Sequence, residues 1–372
     1  MQRRSFMLLT VLSLFETHSA QARSRPANAV LLTAGNYDHY RRVLLSFLDG
    51  LKHMGVIEYV PENLSANRAD TLEVWRAMAE QGDQGLIRFL PDGHYSYDFL
   101  PQRRADVLAS LLERIRDRGD VDLILVFGTE PSLDISRTVK DIPIMSLSCT
   151  DPVFTGVTKS EQDSGQDNLH VIVRKDFFRT QVRDFLAMRP FSSLGFLVAD
   201  QRSDKSGSTE IRAACDEFGV ALVVRTYSED PTLDERGRFE VFFKALVKLL
   251  DEGVQAVMLP WFPCPDDQFT QVVGELVKRG IPSYSLAGPQ FVSRGILLGV
   301  GEENLDIYGM FEADVCKRIL EGESPRSISQ IYLEQNQLLV NLRTAMQMGW
   351  RVPFGLLVSA QKVYITQSED SL

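Results

Sequence analysis

Eight short apolar runs, each ending at or beside Gly, Pro or a small polar residue and each leading into a segment with helical spacing, constrain this chain more than any other feature. In the first half they are Ala29 to Gly35 (AVLLTAG), Ile87 to Pro91 (IRFLP), Leu123 to Gly128 (LILVFG) and Pro143 to Ser148 (PIMSLS). In the second half they are Leu194 to Asp200 (LGFLVAD), Ala221 to Tyr227 (ALVVRTY), Ala256 to Pro260 (AVMLP) and Pro282 to Leu286 (PSYSL). Strands this uniformly apolar are buried on both faces, as in parallel sheets covered by helices. The intervening segments agree: Phe269, Val272, Val273, Leu276 and Val277 make one apolar stripe, and Phe239, Phe242, Phe243, Leu246 and Leu250 another. Two successive sets of four such units predict an α/β protein of two Rossmann-like lobes with parallel sheets.

The N-terminus predicts export. Arg3 and Arg4 precede an apolar run from Phe6 to Phe15, and Ala20-Gln21-Ala22 places small residues where a signal peptidase reads, so residues 1–22 are expected to be a signal peptide. The run is shorter than the roughly 20 residues that span a bilayer. No cysteine follows it to carry a lipid, which points to a soluble protein of the periplasm. Arg3-Arg4-Ser5-Phe6-Met7 also resembles a twin-arginine signal, so either export route is open. After cleavage about 350 residues remain, enough for two lobes of ordinary domain size.

A net charge of −10 argues against nucleic acid and anionic membranes as partners. Cys149, Cys215, Cys264 and Cys316 form no C-x-x-C pair. They fit buried thiols, although an oxidising compartment also permits disulfides. His39, His53, His94 and His170 lack metal-ligand spacing, and the H-E-x-x-H, G-x-S-x-G and P-loop patterns are missing. No metal, cofactor or catalytic residue is therefore expected. The polar stretch Lys159 to Asn168 (KSEQDSGQDN) marks a change of lobe, and Glu62 to Asp83 reads as an added loop and helix.

Ligands of open parallel sheets bind beyond the carboxyl ends of the strands. Those ends supply Asn36, Tyr37 and Asp38, then Gly128, Thr129 and Glu130, then Thr150 and Asp151 in the first half. The second half supplies Asp200 and Ser206, Trp261 and Phe262, and Tyr284. Gly and Thr before a helix expose backbone N–H groups that suit a carboxylate. Asp38 and Asp151 complement an amine, while Tyr37, Trp261, Phe262 and Tyr284 offer apolar walls. Each also has a structural reading: Gly128-Thr129 as a turn and cap, Asp151-Pro152 as a turn former, and Trp261-Phe262 as packing between lobes.

Leu123 to Thr129 (LILVFGT), Ile142-Pro143-Ile144 and Thr150-Asp151-Pro152-Val153, in that order, resemble the ABC transporter substrate-binding protein family with tryptophan- and tyrosine-binding members. Leu194 to Val198, Gly299 to Gly309 (GVGEENLDIYG), Val340 to Ala345 and Pro353 to Leu357 extend the resemblance over almost all of the mature chain. It implies a type I periplasmic binding protein fold with a hinge, a last helix crossing back to the first lobe, and no catalysis. It divides the chain into an N-terminal lobe of residues 29–168 plus 303–327 and a C-terminal lobe of 169–302 plus 328–372. It implies cleft positions at Thr129, Thr150, Asp151 and Ser206. Members carry small residues where this chain has Glu130-Pro131, and a glutamate facing the cleft would select a cationic or amine-bearing ligand.

The function expected is capture of a small molecule, an amino acid or amine-bearing compound, by a monomer that closes at its hinge and docks on an ABC permease in the inner membrane. The same closure would also serve a sensor partnered with a kinase or chemoreceptor. A hydrolytic enzyme is the remaining alternative.

Overall fold

The computed structural model describes residues 25–62, 64, 69–200, 207–228, 230, 232–262, 264–265, 267–301, 304–333 and 337–365. The leader assigned to residues 1–22 and the candidate Ser206 lie outside them. Among the described residues no helix is long and apolar enough to cross a membrane.

The first sheet contains β1 (Ala27–Thr33), β2 (Asp83–Gln84), β3 (Ile87–Ser96), β4 (Leu123–Phe127), β5 (Ile144–Ser148) and β6 (Leu169–Val171). Their order is β2-β3-β1-β4-β5-β6, parallel except for the short β2. Helices α1 (Asp38–His53), α2 (Thr71–Ala79), α3 (Pro101–Arg118) and α4 (Thr129–Thr138) connect these strands. The central β4 is buried along its whole length, as its LILVF sequence requires. β3 runs past the predicted stop at Pro91: Ala29 pairs with Phe89 but Leu31 with His94, so residues 90–93 bulge out and pairing resumes. Pro91 has no N–H to give the ladder, which explains the interruption. The added helix is part of the core. Asp70 caps α2 by accepting from the N–H groups of Leu72 (2.8 Å) and Glu73 (3.2 Å), and the buried Trp75 indole donates to the Leu90 carbonyl at 2.8 Å.

The second lobe follows with β7 (Val173–Arg174), α5 (Phe177–Met188), β8 (Ser193–Ala199), α6 (Ser208–Glu217), β9 (Ala221–Tyr227), α7 (Glu235–Asp251) and β10 (Ala256–Leu259). Next come α8 (Phe269–Arg279), β11 (Ser283–Ser285), α9 (Pro289–Ser293), β12 (Leu298–Val300), α10 (Leu305–Leu320) and β13 (Ile331–Tyr332). The chain closes with β14 (Leu338–Asn341), α11 (Leu342–Gln347), α12 (Phe354–Ser359) and β15 (Lys362–Tyr364). The second sheet has the order β15-β14-β12-β11-β10-β8-β9, with β14 antiparallel to β12. One expectation fails here. The apolar ALVV run predicts a strand buried on both faces, but β9 is the sheet edge and is largely half-buried or exposed until Tyr227.

α10 packs on the first lobe. Its Tyr308, Ala313, Val315, Cys316, Ile319 and Leu320 join the core that holds Val43, Leu44, Phe47 and Leu51 of α1. The two helices meet backbone to backbone, since a Cβ on Gly50 would come within 2.6 Å of the Gly309 carbonyl oxygen. The chain crosses between lobes three times, at β7, between β12 and α10, and at β13, and β7 and β13 pair in parallel as a two-stranded ribbon. β6 still belongs to the first sheet, so the chain leaves that sheet three residues beyond the boundary expected at Asn168.

β6 also carries a buried titratable group. His170 is 3 % exposed, its Nε2 lies 3.1 Å from the Ser329 carbonyl oxygen, and burial, then the nearby Arg318 charge, push its pKa down to about 4. The unfolded chain takes up a proton near pH 6.5 and the folded one does not. Stability is therefore full above about pH 6.5 and is lost as pH falls towards 4, by up to about 3 kcal/mol from this residue. His170→Gln should shrink the loss in urea midpoint between pH 7 and pH 4.5, whereas equal losses in both proteins would contradict this assignment.

Candidate functional site

β1, β4 and β5 lie side by side in the middle of the first sheet, so their carboxyl-end loops share one face. The ladder continues into these loops through the Ala34 N–H to the Phe127 carbonyl (2.9 Å) and the Gly128 N–H to the Ser148 carbonyl (2.8 Å). Gly128 turns the chain into α4 with φ of 109°. A Cβ there would stand 2.7 Å from the Ala34 Cβ and 3.0 Å from the Tyr40 hydroxyl oxygen, so glycine is required by both space and dihedral.

Thr129 ties two of the loops together. Its hydroxyl accepts from the Thr150 N–H at 3.2 Å and faces the Thr150 carbonyl at 3.4 Å, and the Cys149 thiol lies 3.8 Å away. Thr150 is exposed and Glu130 half-buried in the first turn of α4. Asp151 has a left-handed backbone, φ of 46°, and its Oδ1 accepts from the Phe154 N–H at 3.1 Å. Burial raises its carboxyl above the ordinary value, opposed by that N–H. Like α3, α5, α6, α8, α9 and α12, neither α1 nor α4 has a side-chain cap, whereas α2, α7, α10 and α11 are capped by Asp70, Asp234, Asn304 and Asn341.

At the end of β1, Asn36 and Tyr37 are exposed and Asp38 is half-buried. The Asp38 Oδ1 is itself buried and accepts no hydrogen bond among the described residues. An orphan carboxylate oxygen in a first helical turn is favoured by the helix dipole but still lacks a donor.

Sequence reasoning missed three neighbours. Tyr40 stacks on Phe127 (5.2 Å between centroids) and meets Tyr37 edge-on at 5.1 Å; burial raises its phenol pKa, so it stays a neutral hydroxyl. His39 is held down to about 4 by burial and by the charges of Arg174 and Arg42, so it is a neutral imidazole at physiological pH. Arg174 reaches this place from the crossing strand β7, with its guanidinium 4.2 Å from the Phe177 ring centroid. The spacing of Tyr37 and Tyr40, one helical turn apart, was the available signal for the first of these. Cys149 is buried enough that its thiol is pushed up to about 12, which leaves it unreactive at neutral pH. All four cysteines are free.

In the second lobe, Asp200 is exposed at the end of β8 and Trp261 is 48 % exposed after β10. Phe262 and Tyr284, expected as ligand walls, are corrected to core residues. Phe262 is 1 % exposed and stacks on Phe242 at 4.0 Å, while Tyr284 lies within β11 at 2 % exposure beside Phe185. In the loop after β10, Phe262 turns into the core while Trp261 reaches the surface. Two cavities of about 440 and 310 Å³ lie elsewhere, one beside Arg41, Asp49 and Lys52 of α1 and one between His94 and Arg103; neither is lined by a strand-end candidate.

Comparison with known proteins supports the resemblance read from the sequence. Residues 244–364 match the family model described as ABC transporter substrate binding protein. Three solved structures share the fold. An ABC domain from Streptococcus pneumonia in complex with L-Trp is 18 % identical, covers 91 % of this chain and 99 % of its own, and has a TM-score of 0.61. A conserved domain protein from Vibrio cholerae is 17 % identical over 91 % of this chain and 100 % of its own, with a TM-score of 0.60. A ligand-free, open substrate-binding protein with adhesive properties from Clostridium difficile is 15 % identical with the same coverage and a TM-score of 0.57. No curated protein matches the chain. The fold is thus the two-lobed α/β architecture of these three structures, with the parallel-rich sheets read from the sequence.

Proposed function

We propose, from the family match in the C-terminal third and the fold shared with substrate-binding proteins, that this chain captures a small amine-bearing molecule between its lobes and delivers it to an ABC permease. The observation that carries the ligand class is the pair of carboxylates on the strand-end face: Asp38, with a buried oxygen that accepts no hydrogen bond among the described residues, and Asp151, raised by burial. An ammonium group supplies the missing donor at Asp38 and favours the Asp151 carboxylate in its charged form. The uncapped N-termini of α1 and α4 suit a carboxylate on the same molecule, as an amino acid would present. Closure follows from contact with both lobes, since a ligand shifts the equilibrium only by its differential affinity for the closed state. The paired crossing strands β7 and β13 are the place to bend. Export to the periplasm, a monomeric state and the absence of catalysis belong to the same reading.

Mass spectrometry of solute retained by natively expressed protein names the ligand, and titration calorimetry with that solute measures it. Asp151→Asn should weaken binding roughly 10- to 100-fold, the size of a lost hydrogen bond to a charged group. Unchanged affinity would remove the amine from the proposal. A folded protein whose melting temperature moves with none of the amino acids, amines or retained solutes would remove the binding function itself.

A further inference from the structure

Asp98 and Phe99 are consecutive non-glycine residues with left-handed backbones, φ of 52° and 56°. Each such residue costs on the order of 1–3 kcal/mol and persists only where its surroundings hold it. Here they do. The Ser96 hydroxyl donates to Asp98 Oδ1 at 2.5 Å, the Asp98 N–H donates back to the Ser96 hydroxyl at 3.1 Å, and Arg103 forms an ion pair with the Asp98 carboxylate. The Phe99 N–H then donates to the Ala34 carbonyl at 2.6 Å and its ring is laid over Gly35, where a Cβ would stand 2.5 Å from the ring. Strain, polar clamp and glycine together place one aromatic ring at the end of β1. That ring is not core: it is 57 % exposed.

Its position is shared. Six Phe, Tyr and Trp side chains are exposed among the described residues, and four of them, Tyr37, Phe99, Phe154 and Trp261, follow the carboxyl ends of β1, β3, β5 and β10. Only Tyr59 and Phe354 do not. A concentration of exposed rings along the edge where ligands enter marks a contact surface. We infer that Phe99 is a ligand-contacting, specificity-determining residue: the Asp98–Phe99 turn holds its ring at the first-lobe rim, where it packs on an apolar face of the bound molecule as the lobes close. This inference rests on the binding function proposed above and adds that the ligand carries an apolar surface beside its amine.

The test titrates wild type, Phe99→Ala and Phe99→Trp with L-tryptophan, L-tyrosine and tyramine as ring-bearing probes, and with L-leucine and putrescine as ring-free ones. Binding of a ring-bearing probe or L-leucine should weaken roughly tenfold in Phe99→Ala, the value of one lost apolar contact, and largely return in Phe99→Trp. Both variants should melt within a few degrees of wild type, because the ring is mostly exposed. Wild-type binding that Phe99→Ala leaves unchanged overturns the role of Phe99 while sparing the binding function, and so does binding of putrescine alone. Failure of wild type to bind any of the five overturns this inference. If the retained-solute measurement is also blank, the binding function falls with it.

Discussion

Gly128→Val is expected to lower stability by roughly 2–6 kcal/mol, read as a fall in the urea midpoint at unchanged slope. Two effects add. A β-branched residue at φ of 109° is strained, at about 1–3 kcal/mol, and its Cβ would overlap the Ala34 methyl and crowd the Tyr40 hydroxyl, at a further ~1–3 kcal/mol. Gly119 is the milder reference, because its backbone (φ 58°, ψ 28°) lies in the left-handed region, whereas Gly128 (φ 109°, ψ 154°) does not. The methyl of an alanine at Gly119 would meet no atom within 4 Å, so Gly119→Ala should cost about 1 kcal/mol. Similar losses at the two sites would contradict the packing account. The larger loss carries a functional mark as well, because Gly128 immediately precedes Thr129, whose hydroxyl holds the Thr150 loop.

Phe262→Ala is expected to cost roughly 3–5 kcal/mol of stability, the range for deleting a buried aromatic ring. Its ring lies 4.0 Å from Phe242, 4.6 Å from Phe291 and 6.1 Å from Phe269 between centroids, so truncation opens a cavity in the second-lobe core. Trp261→Ala is the complementary experiment. With its side chain half exposed, its cost should fall on ligand affinity, with stability changing by less than about 1 kcal/mol. If the two variants behaved the other way round, the assignment of Phe262 to the core and Trp261 to the site would be reversed.

The central strands were legible because a buried parallel strand must be apolar on both faces, and LILVF or AVML admits few other readings. The short strands were not. β6, β7 and β13 have two or three residues each, too few for any periodicity, and β12, β14 and β15 draw their pairing from the sheet they join. The bulge in β3 was half legible: Pro91 announced a break, but resumption at His94 depends on pairing with Leu31 from a distant segment. At the site, strand ends could be located from sequence and side-chain direction could not. Trp261 and Phe262 are both aromatic, and the path of the loop after β10 decides which one is buried. Tyr40, Arg174 and Phe99 come to the strand-end face through a helix turn, a crossing strand and a strained turn, none of which their residue types encode.

The packing of α10 against α1 has a consequence for the order in which this protein is made. The apolar face of Val43, Phe47 and Leu51 is covered by residues that follow five of the seven strands of the second-lobe sheet. At a synthesis rate of about 5–20 residues per second, roughly 250 residues separate the uncovered helix from its cover, an interval on the order of 10–50 seconds. The first lobe therefore begins first and cannot finish until the second is largely synthesised. A nascent chain shows that sticky helix to its surroundings throughout, and anything that shields unfinished polypeptide has its main target there.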